Sequence, residues 1–277
     1  MSKLGEFVTL ESGNGFPEIF QGNQNGKYPF IKVSDFNLPG NEIQINTANN
    51  YVDEDLVQKL FLNIIPPGST VFAKVGAAIY LNRRRVIIRE TILDNNLMAA
   101  IPKDIHSVYL YHLLVSIDLT KFTQQGALPS LSNKIISNIE VNIPCKNQQN
   151  RIATILSTCD SIIEKTQAAI AKYKAIKQGM LQDLFTRGID PNTNKLRPRY
   201  EDAPELYKES KLGWIPREWE VEKIGKIFRF NQGVQCPVEL QKLHQGENEV
   251  RFIRIIDLTN EGEPPRYIAD PGSQYHI

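Results

Sequence analysis

The 277-residue sequence predicts a mixed α/β fold (α+β) that continues into one long projecting helix and a partial second domain. Three observations predict it. Short β-rich runs separated by turn residues fill the first 145 positions, and a proline-free stretch with helical spacing occupies residues 147–185. Segments near the N-terminus then reappear about 220 residues later.

In the first 145 residues, strands are expected at 28–33, 70–74, 77–81, 86–89 and 139–143, with helices at 53–61 and 107–123. Pro39-Gly40, Pro66-Pro67-Gly68, Gly126 and Pro129 supply the turns between them. Asp53-Glu54-Asp55 reads as a helix start, since carboxylates favour a first helical turn.

The stretch 147–185 carries apolar or small residues at Ile152, Leu156, Cys159, Ile163, Thr166, Ile170 and Tyr173, then at Met180 and Leu184. Steps of four and three alternate, which is a heptad seam broken once, at Lys177. Ile155, Ile162, Ala169 and Ile176 widen the same face. A helix of this length spans about 55–60 Å, so it projects and needs a helical partner along the seam. Ile152, Leu156, Ile163, Ile170, Tyr173, Met180 and Leu184 are therefore the candidate pairing residues, while Lys165, Lys172, Lys174 and Lys177 read as a solvated face.

The repeat supplies the domain organisation. Lys3-Leu4-Gly5 matches Lys223-Ile224-Gly225, and Gly13 and Pro17 match Gly233 and Pro237. After a two-residue insertion, residues 30–36 (Phe-Ile-Lys-Val-Ser-Asp-Phe) match 252–258 (Phe-Ile-Arg-Ile-Ile-Asp-Leu), and their alternation suggests a half-buried strand. The expected layout is a first domain over 1–145, the helix over 146–188, a linker over 189–213, and a truncated second copy over 214–277. A partial copy cannot complete its sheet alone, so residues 220–277 are expected to need a covering surface.

Composition excludes more than it suggests. No apolar run is long enough to span a membrane, no secretory signal opens the chain, and three scattered cysteines form neither a disulfide framework nor a zinc pattern, so the cytoplasm is expected. No dinucleotide, phosphate-loop, nucleophile-elbow or His-Glu-x-x-His motif occurs. His106, His112, His244 and His276 do not cluster with other ligands, and Asn63-Ile-Ile-Pro66-Pro67 lacks the aromatic order of an amino-methyltransferase motif. No catalytic residue, metal site or cofactor is expected in this chain. The net charge of +1 conceals an uneven distribution: nine basic against four acidic side chains over 151–200, and ten against fourteen over 201–277.

Candidate nucleic-acid contacts lie in the first domain. Arg83, Arg84 and Arg85, with Arg89 nearby, form the densest cationic cluster, and Lys74 lies on an adjacent turn. Arginine forks suit phosphates and guanine edges. Gln124, Gln125, Asn133 and Lys134 lie on two polar loops, and side-chain amides can pair bidentately with adenine.

Longer motifs carry a resemblance. Residues 210–219 (Ser-Lys-Leu-Gly-Trp-Ile-Pro-Arg-Glu-Trp) resemble the Gly-x-Ile-Pro-x-x-Trp opening of a target-recognition domain in the specificity subunit of Type I restriction-modification systems. Residues 148–160 (Gln-Gln-Asn-Arg-Ile-Ala-Thr-Ile-Leu-Ser-Thr-Cys-Asp) are similar to that family's conserved helix, with Gln148 in place of the usual Glu. Residues 184–188 and 126–131 are similar to flanking family segments.

The resemblance implies a non-catalytic subunit whose domains each read half of a split DNA site, with long helices setting the spacing. It also implies methyltransferase subunits that bind S-adenosylmethionine, and a restriction subunit that uses ATP and Mg. In that pattern the helix pairs within one chain. Here the second helix is missing, so two chains are expected to pair. Two other readings share the same residues: the recognition part of a fused restriction-methyltransferase, and a helical adaptor that does not bind DNA.

Overall fold

The computed structural model describes residues 2–124, 128–230, 232–260 and 262–272. It divides into two compact units, residues 1–172 and 173–277, with the division inside one continuous helix.

The first unit is built on two sheets. The larger has five strands in the order Val8–Ser12, Leu97–Pro102, Thr70–Ala73, Arg84–Ile87 and Gln44–Ile45, antiparallel except for its last, parallel pair. Thr70–Ala73 is central, and each of its residues is buried, as a β-branched and aromatic run flanked by strands on both sides should be. Phe72, Met98, Leu110 and Leu114 are fully buried where helix Ser107–Ser116 packs on this sheet.

The smaller sheet orders Tyr51–Val52, Tyr28–Ile31, Thr91–Leu93 and Ile64–Ile65, with Tyr28–Ile31 and Thr91–Leu93 running parallel. Helix Glu54–Leu60 packs near it, and Phe16 stacks on the buried Phe30 ring at 3.8 Å. Gly13 touches this second core closely. A Cβ built there would lie 2.1 Å from the Asp94 carbonyl oxygen, so only glycine fits without displacing backbone.

Three expectations are corrected. Residues 77–81 form a 3-10 helix, Ala77–Leu81, because Gly76 turns the chain at φ +80 and Ile79 then donates back to the Gly76 carbonyl. The alternating run 30–36 leaves the sheet after Ile31, where the Asp35 carboxylate accepts the Lys32 N–H at 2.8 Å and opens a 3-10 turn, Val33–Asn37. Helix 107–123 breaks after Ser116 into a 3-10 turn, Leu119–Phe122, started by the Asp118 side chain. Strands Thr91–Leu93 and Leu97–Pro102 were missed, since their buried runs do not alternate, and the edge strand Val8–Ser12 was missed as well.

The long helix is Lys146–Thr186, 41 residues. It stops at Gly188, which has φ +64 and sits so close to Trp219 that a Cβ would lie 2.5 Å from the ring. In the second unit, residues 189–213, read as a linker, hold the Ile189–Asp190/Lys195–Leu196 hairpin and the first strand of the Tyr207–Ser210/Gly213–Pro216 hairpin. Buried Arg197 ties this region together by donating to the Arg187 carbonyl at 3.1 Å and pairing with Glu218 at 3.2 Å.

The repeat is visible as local structure. Pro17 and Pro237 each precede a 3-10 turn, and Gln21 and Gln241 each donate to the carbonyl five residues back, Phe16 or Cys236, at 2.9 Å. Asp257 caps Arg254 at 2.8 Å, as Asp35 caps Lys32. The Tyr28–Val52 and Pro29–Tyr51 pairings recur as Val250–Ile268 and Arg251–Tyr267.

Candidate nucleic-acid interface

Four of the predicted contact residues fall in one neighbourhood, stitched by backbone hydrogen bonds. Half-buried Lys74 accepts from Leu131 N–H at 2.8 Å through its carbonyl, and Gly76 donates to the Pro129 carbonyl at 2.9 Å. Gln124 N–H donates to the Ser130 carbonyl at 2.9 Å. Asn133 donates from its amide to the Leu10 carbonyl at 3.1 Å, and Lys134 beside it is exposed. Residues 128–134 therefore join the segments that carry Lys74, Gln124, Asn133 and Lys134. Gln125 lies outside the described residues, as do Gly126 and His276.

The arginine cluster is divided by the fold. Arg84 and Arg85 point inward on the Arg84–Ile87 strand and are buried. Arg84 donates to Asn82 Oδ1 at 2.7 Å and to the Ile117 carbonyl at 3.2 Å, with its guanidinium over the Phe72 ring. Burial lowers its pKa to about 10 against the opposing pull of Asp118 and Tyr111. Arg85 donates to the Arg84 carbonyl at 2.7 Å and the Phe36 carbonyl at 2.9 Å, and burial lowers its pKa as well. Both guanidiniums are spent on backbone carbonyls of their own domain, which makes them scaffold cations. Arg83 is half-buried and bonds the Asn37 side chain. Arg89 is exposed, donating to the Asn46 carbonyl at 3.2 Å.

The base of the long helix is held by a residue that the sequence reading passed over. Gln149 is buried, accepts the His106 N–H at 2.8 Å and donates to the Pro144 carbonyl at 2.9 Å. Its signal was its position in the family-like motif. Ala153 is buried beside it, and Lys146 pairs with Asp104. Two turns further, His112 Nε2 lies 3.4 Å from Asp160 Oδ2 without hydrogen-bond geometry. Burial lowers the His112 pKa below its usual 6.5, and Asp160 acts in the opposite direction.

Past this base the helix is bare. Leu156 is half-buried at the rim, whereas Ile152, Ile163, Ile170, Tyr173, Met180 and Leu184 are exposed, Ile163 at 55% and Met180 at 57%. The widening stripe is exposed too, at Ile155, Ile162 and Ile176. Among the described residues, no three His, Cys, Asp or Glu side chains gather to hold a metal ion, and no helix is long and apolar enough to cross a membrane.

The first unit is thus a mixed α/β domain with one end of the long helix packed on it, and the apolar side chains further along that helix are exposed. Comparison with known proteins gives the family. The Type I restriction modification DNA specificity domain matches residues 1–172, and the chain belongs to that family. It is similar to two specificity subunits of Methanocaldococcus jannaschii, from the Type I restriction enzymes MjaVIII and MjaIX. Identity is 24% over 248 residues and 25% over 243 residues, in each case covering 84% of this chain. The match takes in 53% and 52% of those relatives, so the chain spans about half the length of the curated relatives it matches. Among solved structures, the S subunit of a Type I system from M. genitalium superimposes with a TM-score of 0.49 at 13% identity, over 88% of this chain and 57% of that one. The HsdS subunit from Thermoanaerobacter tengcongensis gives 0.46 at 17% identity, over 66% and 44%.

Proposed function

We propose that this chain reads one half of a split DNA target with its first domain and pairs with a second copy through the long helix. The pair presents two identical domains to a palindromic site. It docks the methyltransferase subunits, which bring S-adenosylmethionine, and in the full complex the restriction subunit, which brings ATP and Mg. The chain contributes recognition and spacing in the cytoplasm, and catalysis belongs to its partners.

The observation that carries this reading is that the uncovered seam is complementary to itself in one orientation. Laid antiparallel about a centre near residue 168, Ile163 meets Tyr173, Thr166 meets Ile170, Leu156 meets Met180, and Ile152 meets Leu184. Parallel in-register pairing would stack Lys177 on Lys177 inside the seam, whereas the antiparallel arrangement puts it opposite Cys159. Like charges in a desolvated seam are costly, so the antiparallel pair is favoured.

Light scattering tests the pairing. A dimer is expected at tens of micromolar protein, and Ile163→Lys with Ile170→Lys should leave a folded monomer. A native monomer at that concentration would remove the paired arrangement. Methylation mapping in cells that hold the partner methyltransferase tests the recognition: a palindromic bipartite site is expected, and an asymmetric one would require a different second half.

A further inference from the structure

The two copies of the repeat share a frame and differ in two loops. The frame is the proline-started turn, the Gln21 or Gln241 bond, the first strand, the Asp35 or Asp257 cap, and the returning strand. Between Gln21 and Tyr28 the first copy has residues 22–27, whereas between Gln241 and Val250 the second has 242–249, two more. Between Phe36 and Tyr51 it has 37–50, whereas between Leu258 and Tyr267 the second has 259–266, six fewer. Both differences converge on one place. In the first copy Gly22 N–H donates to Asn50 Oδ1 and Tyr51 N–H to the Asn23 carbonyl, each at 2.8 Å. In the second, Lys242 and Tyr267 exchange both backbone bonds at 2.9 Å. The join is kept, and what protrudes beyond it changes.

The protruding chemistry suits base edges. Residues 22–27 read Gly-Asn-Gln-Asn-Gly-Lys and are all exposed, while the backbone is pinned by Asn50, by Asn23 Oδ1 accepting Asn25 N–H at 3.1 Å, and by Asp53 accepting Lys27 N–H at 3.2 Å. The side chains of Gln24 and Asn25 have no hydrogen-bond partner among the described residues. An ordered loop with free amides is pre-organised for bidentate pairing with adenine N6 and N7. The second copy offers His244, Gln245, Glu247 and Asn248 instead, which is a different set of donors and acceptors. Phosphate contacts position a protein on DNA, and base contacts specify the sequence.

The geometry points to loop 22–27 as a sequence-specifying contact with the base edges of double-stranded DNA, with Gln24 and Asn25 as its reading side chains. This rests on the DNA-recognition reading above, and it adds a reading element separate from Lys74, Arg83, Gln124, Asn133 and Lys134. The test selects duplexes from a randomised pool with the full chain in three forms. These are native, Gln24→Ala/Asn25→Ala, and a form in which residues 22–27 are replaced by the sequence of 242–249. Circular dichroism and the thermal midpoint confirm folding in each.

The loop exchange is expected to select a different half-site, with affinity for random duplex unchanged within about twofold. The double alanine form, whose altered side chains are free in the fold, should bind the native-selected duplex about tenfold to a hundredfold more weakly. Selection of the native sequence by both variants with native affinity would overturn the assignment while leaving DNA recognition intact. If the native chain enriched no sequence, the recognition reading itself would fall.

Discussion

The first and second copies of the repeat make the same turns and strands in opposite surroundings. Leu4 and Ile224 open equivalent helical turns, yet Leu4 is fully buried and Ile224 is 62% exposed. Phe36 and Leu258 follow equivalent caps, at 4% and 79% exposure. The first copy is covered by strand Thr91–Leu93, which pairs parallel to Tyr28–Ile31, and by the larger sheet and its helix. Among the described residues the second copy has no counterpart of these elements, and it presents a groove of about 1130 Å³ lined by Val234, Phe252, Ile253 and Ile256. At the equivalent position the first copy holds the Phe16–Phe30 stack. Local hydrogen bonds are therefore enough to specify each element, and burial depends on partners far away in sequence.

Paired substitutions can break this comparison. The largest difference is expected at Phe30 and Phe252. Phe30→Ala should cost about 3–5 kcal/mol in urea unfolding, because it empties a fully buried, close-packed site, whereas Phe252→Ala should cost about 1–2 kcal/mol, since Phe252 is only half-buried and lines an open groove. Equal losses would mean that the second copy is covered in solution.

Gly13 and Gly233 come next. A methyl group at Gly13 collides with the Asp94 and Leu93 carbonyl oxygens, so Gly13→Ala should destabilise by roughly 1–3 kcal/mol or more. At Gly233 nothing lies within 4 Å, and alanine there should shift stability by less than about 0.5 kcal/mol, if anything upward by reducing the entropy of the unfolded chain.

The smallest effect is a pH dependence confined to the first copy. His112 has a folded pKa below its usual 6.5, so the unfolded chain takes up the proton first. Its contribution is complete above pH 6.5 and is lost as pH falls from there through the lower folded value. The urea midpoint of the native chain should drop more between pH 7.5 and 5.5 than that of His112→Gln, and identical slopes would separate His112 from stability in this range.

Legibility in the sequence followed the range of the forces involved. Helix Glu54–Leu60 and strand Thr70–Ala73 appear within a residue or so of their expected limits, because carboxylates in a first helical turn and β-branched runs act locally. Of the candidate contacts, Lys74, Gln124, Asn133 and Lys134 belong to segments that hydrogen bonds join, although 60 residues separate the first from the last. Arg83, Arg84 and Arg85 are adjacent in sequence and face different environments, since alternate side chains on a twisted strand go to opposite faces and Arg84 also finds an acceptor at Ile117. The amide loop 22–27 left a trace in the two-residue insertion between the copies, whose meaning depended on knowing where the chain returns beside it.

By itself the sequence determined the duplicated frame, the long helix with its heptad seam, and the family motifs, because each is written in the spacing of residues along short segments. Tertiary structure alone decided which cations face inward, which residues hold the helix base, and which copy has a closed core. Each of those depends on a backbone N–H or carbonyl or an apolar face delivered from 30 or more residues away, and no local pattern specifies when such a partner arrives.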